Sequence, residues 1–511
     1  MRGSTMELRE PLETLIHEPT DFTKHLNFPP PERIKIYDST LRDGEQMPGV
    51  ALSPGQKYEI ARALSDMGVH IMDLGFPFAA LSDRRALQLI VQGKRNGEIR
   101  EDVELLVMCR STKSDIDITI KTLRDIGVDV NEVTFFIFTS GSDLHLKYKI
   151  GKALLRREGR DISEWLDLPV EFYREANIRM MCEAISYTRD QGINAIEFGG
   201  EDGSRSDLEY TIELAKAGYA AGGTRYSFPD TVGSFTPEGV DHYIPRIVKE
   251  FPGKDLVVHF HNDFGLAGVN TVRAMSHGIN IPTCTVNGMG ERAGNAPLHE
   301  VVCTLKYLYG IDIPGFKYDH LIKLRRMLEE FSGIPVSAHA PIIGEGVFTH
   351  ESGIHTAGLL IHPKIYQVIP PEDLGRRIRY VFGKHSGLSA VREVLNRPEF
   401  RAGLERDGVE VTDELIEAVH LFVKDARQKR TKSDSFVNVT QAYYNEYHRL
   451  GITELRLVEL ASTIGRLLIE GTFKPKTIDE LPLSSNSQRA NTHSSKTKDG
   501  KTKSRLSRKK H

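Results

Sequence analysis

Strand-length apolar runs recur eight times in the first 290 or so residues of this chain, each bounded by turn residues and followed by a helix-like stretch. The runs begin at Ile34, Val69, Val103, Val133, Ala195, Arg225, Leu256 and Thr283. PGQKYEIARALSDMG after the first run, KSDIDITIKTLRDIG after the third and GLAGVNTVRAMSHG after the seventh show the helical period. Gly68, Gly127 and Gly278 close these stretches, as C-terminal caps do. The gap between the fourth and fifth runs is longer and leaves room for an extra helix. Eight strand–helix units over about 280 residues match a (β/α)8 TIM barrel in size and order. A doubly wound open sheet has the same alternation. The barrel is favoured because polar, chemistry-bearing residues fall at the ends of several different strands, where a barrel assembles its site.

After about residue 312 the rhythm changes. HLIKLRRMLEEFSG, AVREVLNRPEF and DELIEAVHLFVKDARQKR read as amphipathic helices, and GVFTHESGIHTAG as a polar loop. The chain therefore divides into an N-terminal arm (1–32), the α/β barrel (33–312), a mainly helical region (313–483) and a tail (484–511). The tail is basic, nearly devoid of apolar residues and expected to be disordered. It lacks the aromatic residues that stack on bases, so nucleic acid is not an expected partner.

Composition narrows the class. With 70 acidic and 67 basic residues the net charge is −3, which gives no global attraction to nucleic acid or anionic lipid. The apolar runs fall well short of the roughly 20 residues that span a bilayer, so no membrane association is expected. The N-terminal segment is charged and lacks a signal-peptide core. Cys109, Cys182, Cys284 and Cys303 are far apart and form no CxxC pair, so reduced thiols in a cytoplasmic protein are expected.

Three constellations carry chemistry. The first strand ends in Arg42-Asp43-Gly44-Glu45-Gln46, a cation, carboxylates and an amide in one turn. The seventh ends in His259-Phe260-His261, whose imidazoles, two residues apart on a strand, project to the same side. The eighth is followed by the glycine-rich segment Asn287–Asn295, in which Asn295 can offer a carbonyl oxygen. Units seven, eight and one are neighbours in a closed barrel, so Asp43, His259, His261 and Asn295 can meet as oxygen and nitrogen ligands. Without a thiolate, such a set suits a divalent cation: Mg²⁺, Mn²⁺, Co²⁺ or Zn²⁺.

The motifs LRDGEQ, HxHND and NGxGERAGNA, in this order, resemble those of the DRE-TIM metallolyases. More narrowly, residues 33–395 resemble the 2-isopropylmalate synthase and homocitrate synthase family. The later segments FTHESGIH (Phe348–His355) and FGKHSG (Phe382–Gly387) resemble the subdomain by which those synthases complete their active site. The resemblance implies condensation of acetyl-CoA with a 2-oxo acid, a divalent metal held by Asp43, His259, His261 and Asn295, and a homodimer. It implies that Arg42 stabilises the developing alkoxide and that His355 removes the acetyl proton, with Tyr366 and Glu351 orienting it. Gln46, His145, Glu201 and Thr231 correspond to residues around the oxo acid. Of the oxo acids, 2-oxoisovalerate is favoured over 2-oxoglutarate; oxaloacetate and a phosphono-analogue of pyruvate are further alternatives, and a C–C lyase is the rival activity. The loop after His355, Thr356-Ala357-Gly358, departs from the Asp-Gly of many isopropylmalate synthases. The stretch after residue 395 is too short for a leucine-binding regulatory domain, so none is expected.

Overall fold

A computed structural model describes residues 23–383 and 385–429 and the single positions 439, 442, 470 and 472. The first part of the expected arm, the end of the helical region, Lys384 of FGKHSG and the whole basic tail lie outside the described residues.

The barrel follows the expected alternation. Its first half runs β1 (Tyr37–Asp38), α1 (Pro54–Met67), β2 (Ile71–Asp73), α2 (Leu81–Arg95), β3 (Glu104–Arg110), α3 (Lys113–Asp125) and β4 (Thr134–Ser140). The long fourth connection holds a π-helical turn at His145–Lys149, then α4 (Gly151–Arg157) and α5 (Val170–Asp190). The second half runs β5 (Ile196–Glu201), α6 (Leu208–Ala220), β6 (Arg225–Asp230), α7 (Pro237–Glu250), β7 (Leu256–Phe260), α8 (Ala267–Met275), β8 (Ile281–Cys284) and α9 (Leu298–Tyr309). Every neighbouring pair is parallel, and β1 pairs with both β2 and β8, through Tyr37↔Thr283 and Asp38↔Cys284. The sheet is therefore closed, and the open-sheet alternative is excluded.

Local chemistry explains the helix boundaries. Ser53 and Gln56 form a reciprocal capping box at the start of α1, and Gly68 ends it at φ 111°. The eighth strand lies two residues earlier than the sequence placed it. Asn287, at the head of the glycine-rich segment expected to follow it, turns the chain at φ 59°.

Two apolar layers result. The strands and outer helices share one large core, from Ile34 and Ile36 to Val301 and Leu328. Inside the barrel, Tyr37, Ile71, Leu106, Met108, Val257 and Ile281 form a second cluster, flanked by Phe76, Phe136 and Phe138. Strand alternation separates these sets, because successive side chains face opposite sides of the sheet.

Beyond α9 come α10 (His320–Ser332), a two-stranded parallel ladder of β9 (Thr349–His350) and β10 (Arg379–Tyr380), and between them α11 (Gly353–Ile361). The described chain then continues in α12 (Leu388–Leu395), α13 (Pro398–Arg406) and α14 (Asp413–Lys429). AVREVLNRPEF is not one helix: α12 stops before Pro398, which starts α13 at its first turn. Ile313, Phe316, Leu324, Ile343, Phe348 and Leu374 all join the main barrel core, so packing does not break at residue 312. No helix among the described residues is long and apolar enough to cross a membrane.

Candidate active site and metal centre

The C-terminal end of the barrel opens into a cavity of about 460 Å³. Arg42, Asp43, Gln46, Glu201, Thr231, His259 and His261 line it, so residues from β1, β5, β6 and β7 and the loops after them come together. His145 does not line it. Its Nε2 sits 3.6 Å from Asp202 Oδ2, and from the same turn Lys149 reaches the wall and pairs with Glu201. No lining residue lies beyond Arg292, so Glu351, His355 and Tyr366 do not line the cavity of their own chain.

At one end, His259 Nε2 and His261 Nε2 lie 3.2 Å apart. They stand 3.4 and 3.8 Å from Asp43 Oδ2. An ion with ligands at about 2.1 Å separates them by about 3.0 Å at right angles or about 3.4 Å in a tetrahedron, so this triangle fits a divalent cation. Asn295 belongs to the same corner. Its backbone bridges to His261, and a Cβ on Gly290 would lie 2.2 Å from Asn295 Nδ2 and 3.1 Å from Asp43 Oδ1. Asn295 Nδ2 donates to Met289 O, which leaves its Oδ1 buried without a partner, as an acceptor available to a cation.

The electrostatics prepare the same corner. Burial alone would raise the Asp43 carboxyl, but Arg42 and both imidazoles more than offset it and hold it well below the usual carboxylate range. Burial, helped by His259, pushes His261 down to about 3, so its imidazole is neutral and offers a lone pair. Arg42 is clamped between two carboxylates, with Nη1 2.7 Å from Asp43 Oδ2 and Nε 2.7 Å from Asp73 Oδ2. Asp73 in turn accepts from Ser39 Oγ and the Gly75 N–H. This fixes the guanidinium beside the candidate ion.

Another part of the wall is apolar, made by Phe76, Met108, Phe136 and Phe138. Sequence reasoning missed this wall, although Phe136 and Phe138, two apart on one strand, carried the signal. It also missed Asp73, Lys149, Glu197 and Arg292. Arg292 adopts φ 57°, and its guanidinium ties Asp263 to the Thr231 carbonyl across the mouth.

In the helical region His355 and Tyr366 stack with ring centroids 4.4 Å apart, and His350 lies 6.5 Å from His355. Tyr366 is 42% exposed, so the pair faces outward from its own subunit.

The closed barrel and its corner of Asp43, His259 and His261 lie within one family match, to the HMGL-like proteins. Residues 33–329 match that family, and the chain belongs to it. More narrowly, residues 342–430 match the domain described as homocitrate synthase post-HMGL domain-like, which places the chain in the 2-isopropylmalate synthase and homocitrate synthase family. A 2-isopropylmalate synthase of Methanocaldococcus jannaschii is 36% identical over 428 residues, covering 80% of this chain and 75% of that one. The homocitrate synthase AksA of Methanothermobacter thermautotrophicus is 36% identical over 409 residues, covering 80% and 93%. Among solved structures, a Bacillus subtilis HMG-CoA lyase is similar at 18% identity and a TM-score of 0.46, over 62% of this chain and 98% of its own.

Proposed function

We propose that this protein condenses acetyl-CoA with a 2-oxo acid and hydrolyses the resulting thioester, as a 2-isopropylmalate synthase-type enzyme. The observation that carries the proposal is the triangle of Asp43, His259 and His261 beside a clamped Arg42, facing an apolar wall in one cavity. The post-HMGL domain match over 342–430 supports a synthase over a lyase.

Asp43, His259, His261 and Asn295 would hold the divalent cation, Mg²⁺, Mn²⁺, Co²⁺ or Zn²⁺. When bound, it supplies Lewis acidity toward the 2-oxo acid. Arg42 cannot deprotonate and is fixed at the same corner, so it stabilises the oxygen that gains charge as the keto carbon is attacked. Thr231 and Gln46 bind the oxo acid's polar end, Glu201 anchors Lys149 beside it, and the phenylalanine wall receives the side chain. That wall favours 2-oxoisovalerate. His355, with Tyr366 stacked on it and Glu351 just before it in the chain, removes a proton from the acetyl methyl. The methyl carbon bonds to the keto carbon and the alkoxide takes up a proton. Water then cleaves the thioester, releasing a carboxylate and free CoA thiol.

His355 and Tyr366 are absent from their own chain's cavity wall, which supports a homodimer in which each subunit's helical region serves its partner's barrel. A cytoplasmic location is consistent with the unpaired cysteines among the described residues.

Thiol release from acetyl-CoA, with Mn²⁺ or Mg²⁺ and a panel of 2-oxo acids, tests the proposal. Release dependent on both metal and oxo acid is expected. Release with no member of a broad panel overturns it.

A further inference from the structure

Glu197, on β5, is fully buried and lines the cavity next to Phe136 and Phe138 on the neighbouring strand. One of its oxygens, Oε2, accepts from Arg225 Nε at 2.7 Å. The other, Oε1, is buried and has no protein partner. A buried polar atom left unpaired in a cavity wall meets whatever enters.

The charge balance around it is one-sided. The Arg225 guanidinium also donates to Glu104, at 3.0 and 2.7 Å. Two carboxylates therefore share one cation, and this part of the wall carries a net negative charge. The cations that line the cavity cannot correct this, because each is already paired. Arg42 is held by Asp43 and Asp73, Lys149 by Glu201, and Arg292 by Asp263. The rest of the lining here is the apolar set Phe76, Met108, Phe136 and Phe138 with the neutral hydroxyls of Tyr37, Ser227 and Thr283, and none of these supplies a positive charge to an anion.

We propose, resting on the condensation reading, that Glu197 is a specificity-determining residue: its free oxygen excludes 2-oxo acids that carry a second carboxylate, so the enzyme takes 2-oxo acids with uncharged side chains. A distal carboxylate entering this end of the cavity loses its water and faces Oε1 without a neutralising partner. Exclusion of this kind is specificity by repulsion rather than by added attraction. An uncharged alkyl group meets the phenyl rings and leaves Oε1 room for water.

The test compares kcat/KM for 2-oxoisovalerate with that for 2-oxoglutarate and oxaloacetate, in wild type and in Glu197→Gln. Burial pushes Glu197 up to about 7, so the assay is run at pH 8, where it is ionised. Gln keeps an acceptor for Arg225 and turns an N–H toward the cavity. Wild type should favour 2-oxoisovalerate by about a hundredfold, and the variant should narrow that ratio by about tenfold or more. Glu104→Gln, which removes the second carboxylate outside the cavity wall, should narrow it in the same direction. A wild type that turns over either dicarboxylic acid as well as 2-oxoisovalerate overturns the assignment, whether or not the variants fold. So does thiol release with an unshifted ratio in the variants. Thiol release with no oxo acid instead brings down the condensation reading on which this one rests.

Discussion

The Asp202 N–H donates to Thr231 Oγ1 at 2.8 Å. Asp202 sits at φ 67°, a left-handed conformation that an aspartate tolerates, and Arg205, Ser142 and His145 surround its carboxylate. The oxygen of the Thr231 hydroxyl already accepts, and Thr231 lines the cavity, so the hydroxyl proton is the group it has to offer an oxo acid there. Thr231→Val keeps the shape and removes that donor. The oxo acid KM should rise about tenfold to a hundredfold, as for a lost hydrogen bond to a charged group. Thr231→Ser should recover most of the loss. Steady-state thiol release measures both, and equal effects from Val and Ser would show that the hydroxyl plays no part.

The imidazoles of His259 and His261 make a prediction about metal. His261→Ala leaves Asp43 and His259 without their third side, and Mn²⁺ affinity should fall by about tenfold or more. Titration calorimetry reads this without any turnover. Chelation of the wild type should abolish thiol release, and added Mn²⁺ or Mg²⁺ should restore it. Undiminished Mn²⁺ binding in the variant would remove His261 from the ligand set.

Arg42→Lys separates charge from shape. The ammonium keeps the positive charge but cannot span Asp43 and Asp73 together, as the guanidinium does at 2.7 Å to each. The expected loss is about 10²- to 10³-fold in kcat, the range for a lost oxyanion donor. A variant within about threefold of wild type in kcat would place the charge stabilisation elsewhere.

The outward position of His355 can be tested by mixing subunits. His355→Ala should lose about 10²- to 10⁴-fold in kcat, as for a lost general base, while the oxo acid still binds. Refolding it together with the Arg42→Lys chain should restore part of the activity, because mixed dimers then hold one complete site. No recovery in the mixture, with dimers present, would mean that each subunit uses its own His355.

A fifth prediction concerns stability. Burial alone holds His299, on α9, at about 3, so it enters the fold neutral. Its value in the unfolded chain is about 6.5. Above that pH both states are neutral and His299 has no effect. Below it the unfolded chain binds a proton that the folded chain does not. Stability should then fall by about 1.4 kcal/mol per pH unit from this residue, down to about pH 3. Tm measured from pH 7.5 to pH 5 should decline, and His299→Leu should flatten the decline. The same slope in wild type and variant would assign the acid sensitivity to other groups.

The sequence by itself determined the strand–helix alternation and half of the candidate site. Apolar strand-length runs and helical stretches alternate from Ile34 to α9, with one longer connection after the fourth, and local patterning of that kind is readable without coordinates. The His259/His261 pair was legible for the same reason, since the strand repeat alone places both rings on one side. Closure of the sheet was not legible, because it depends on Tyr37 meeting Thr283 across nearly 250 residues of chain. Nor was the clamp on Arg42, which needs Asp73 from the next strand, or the pairing that ties up Arg225 and leaves Glu197 Oε1 free. The sequence also placed His145 in the pocket, where tertiary packing turned it toward Asp202 and brought Lys149 forward instead. Residue spacing fixes which face of its own strand or helix a side chain takes. Which partner it finds depends on how separate elements pack, and in this cavity that pairing decides where charge remains uncompensated.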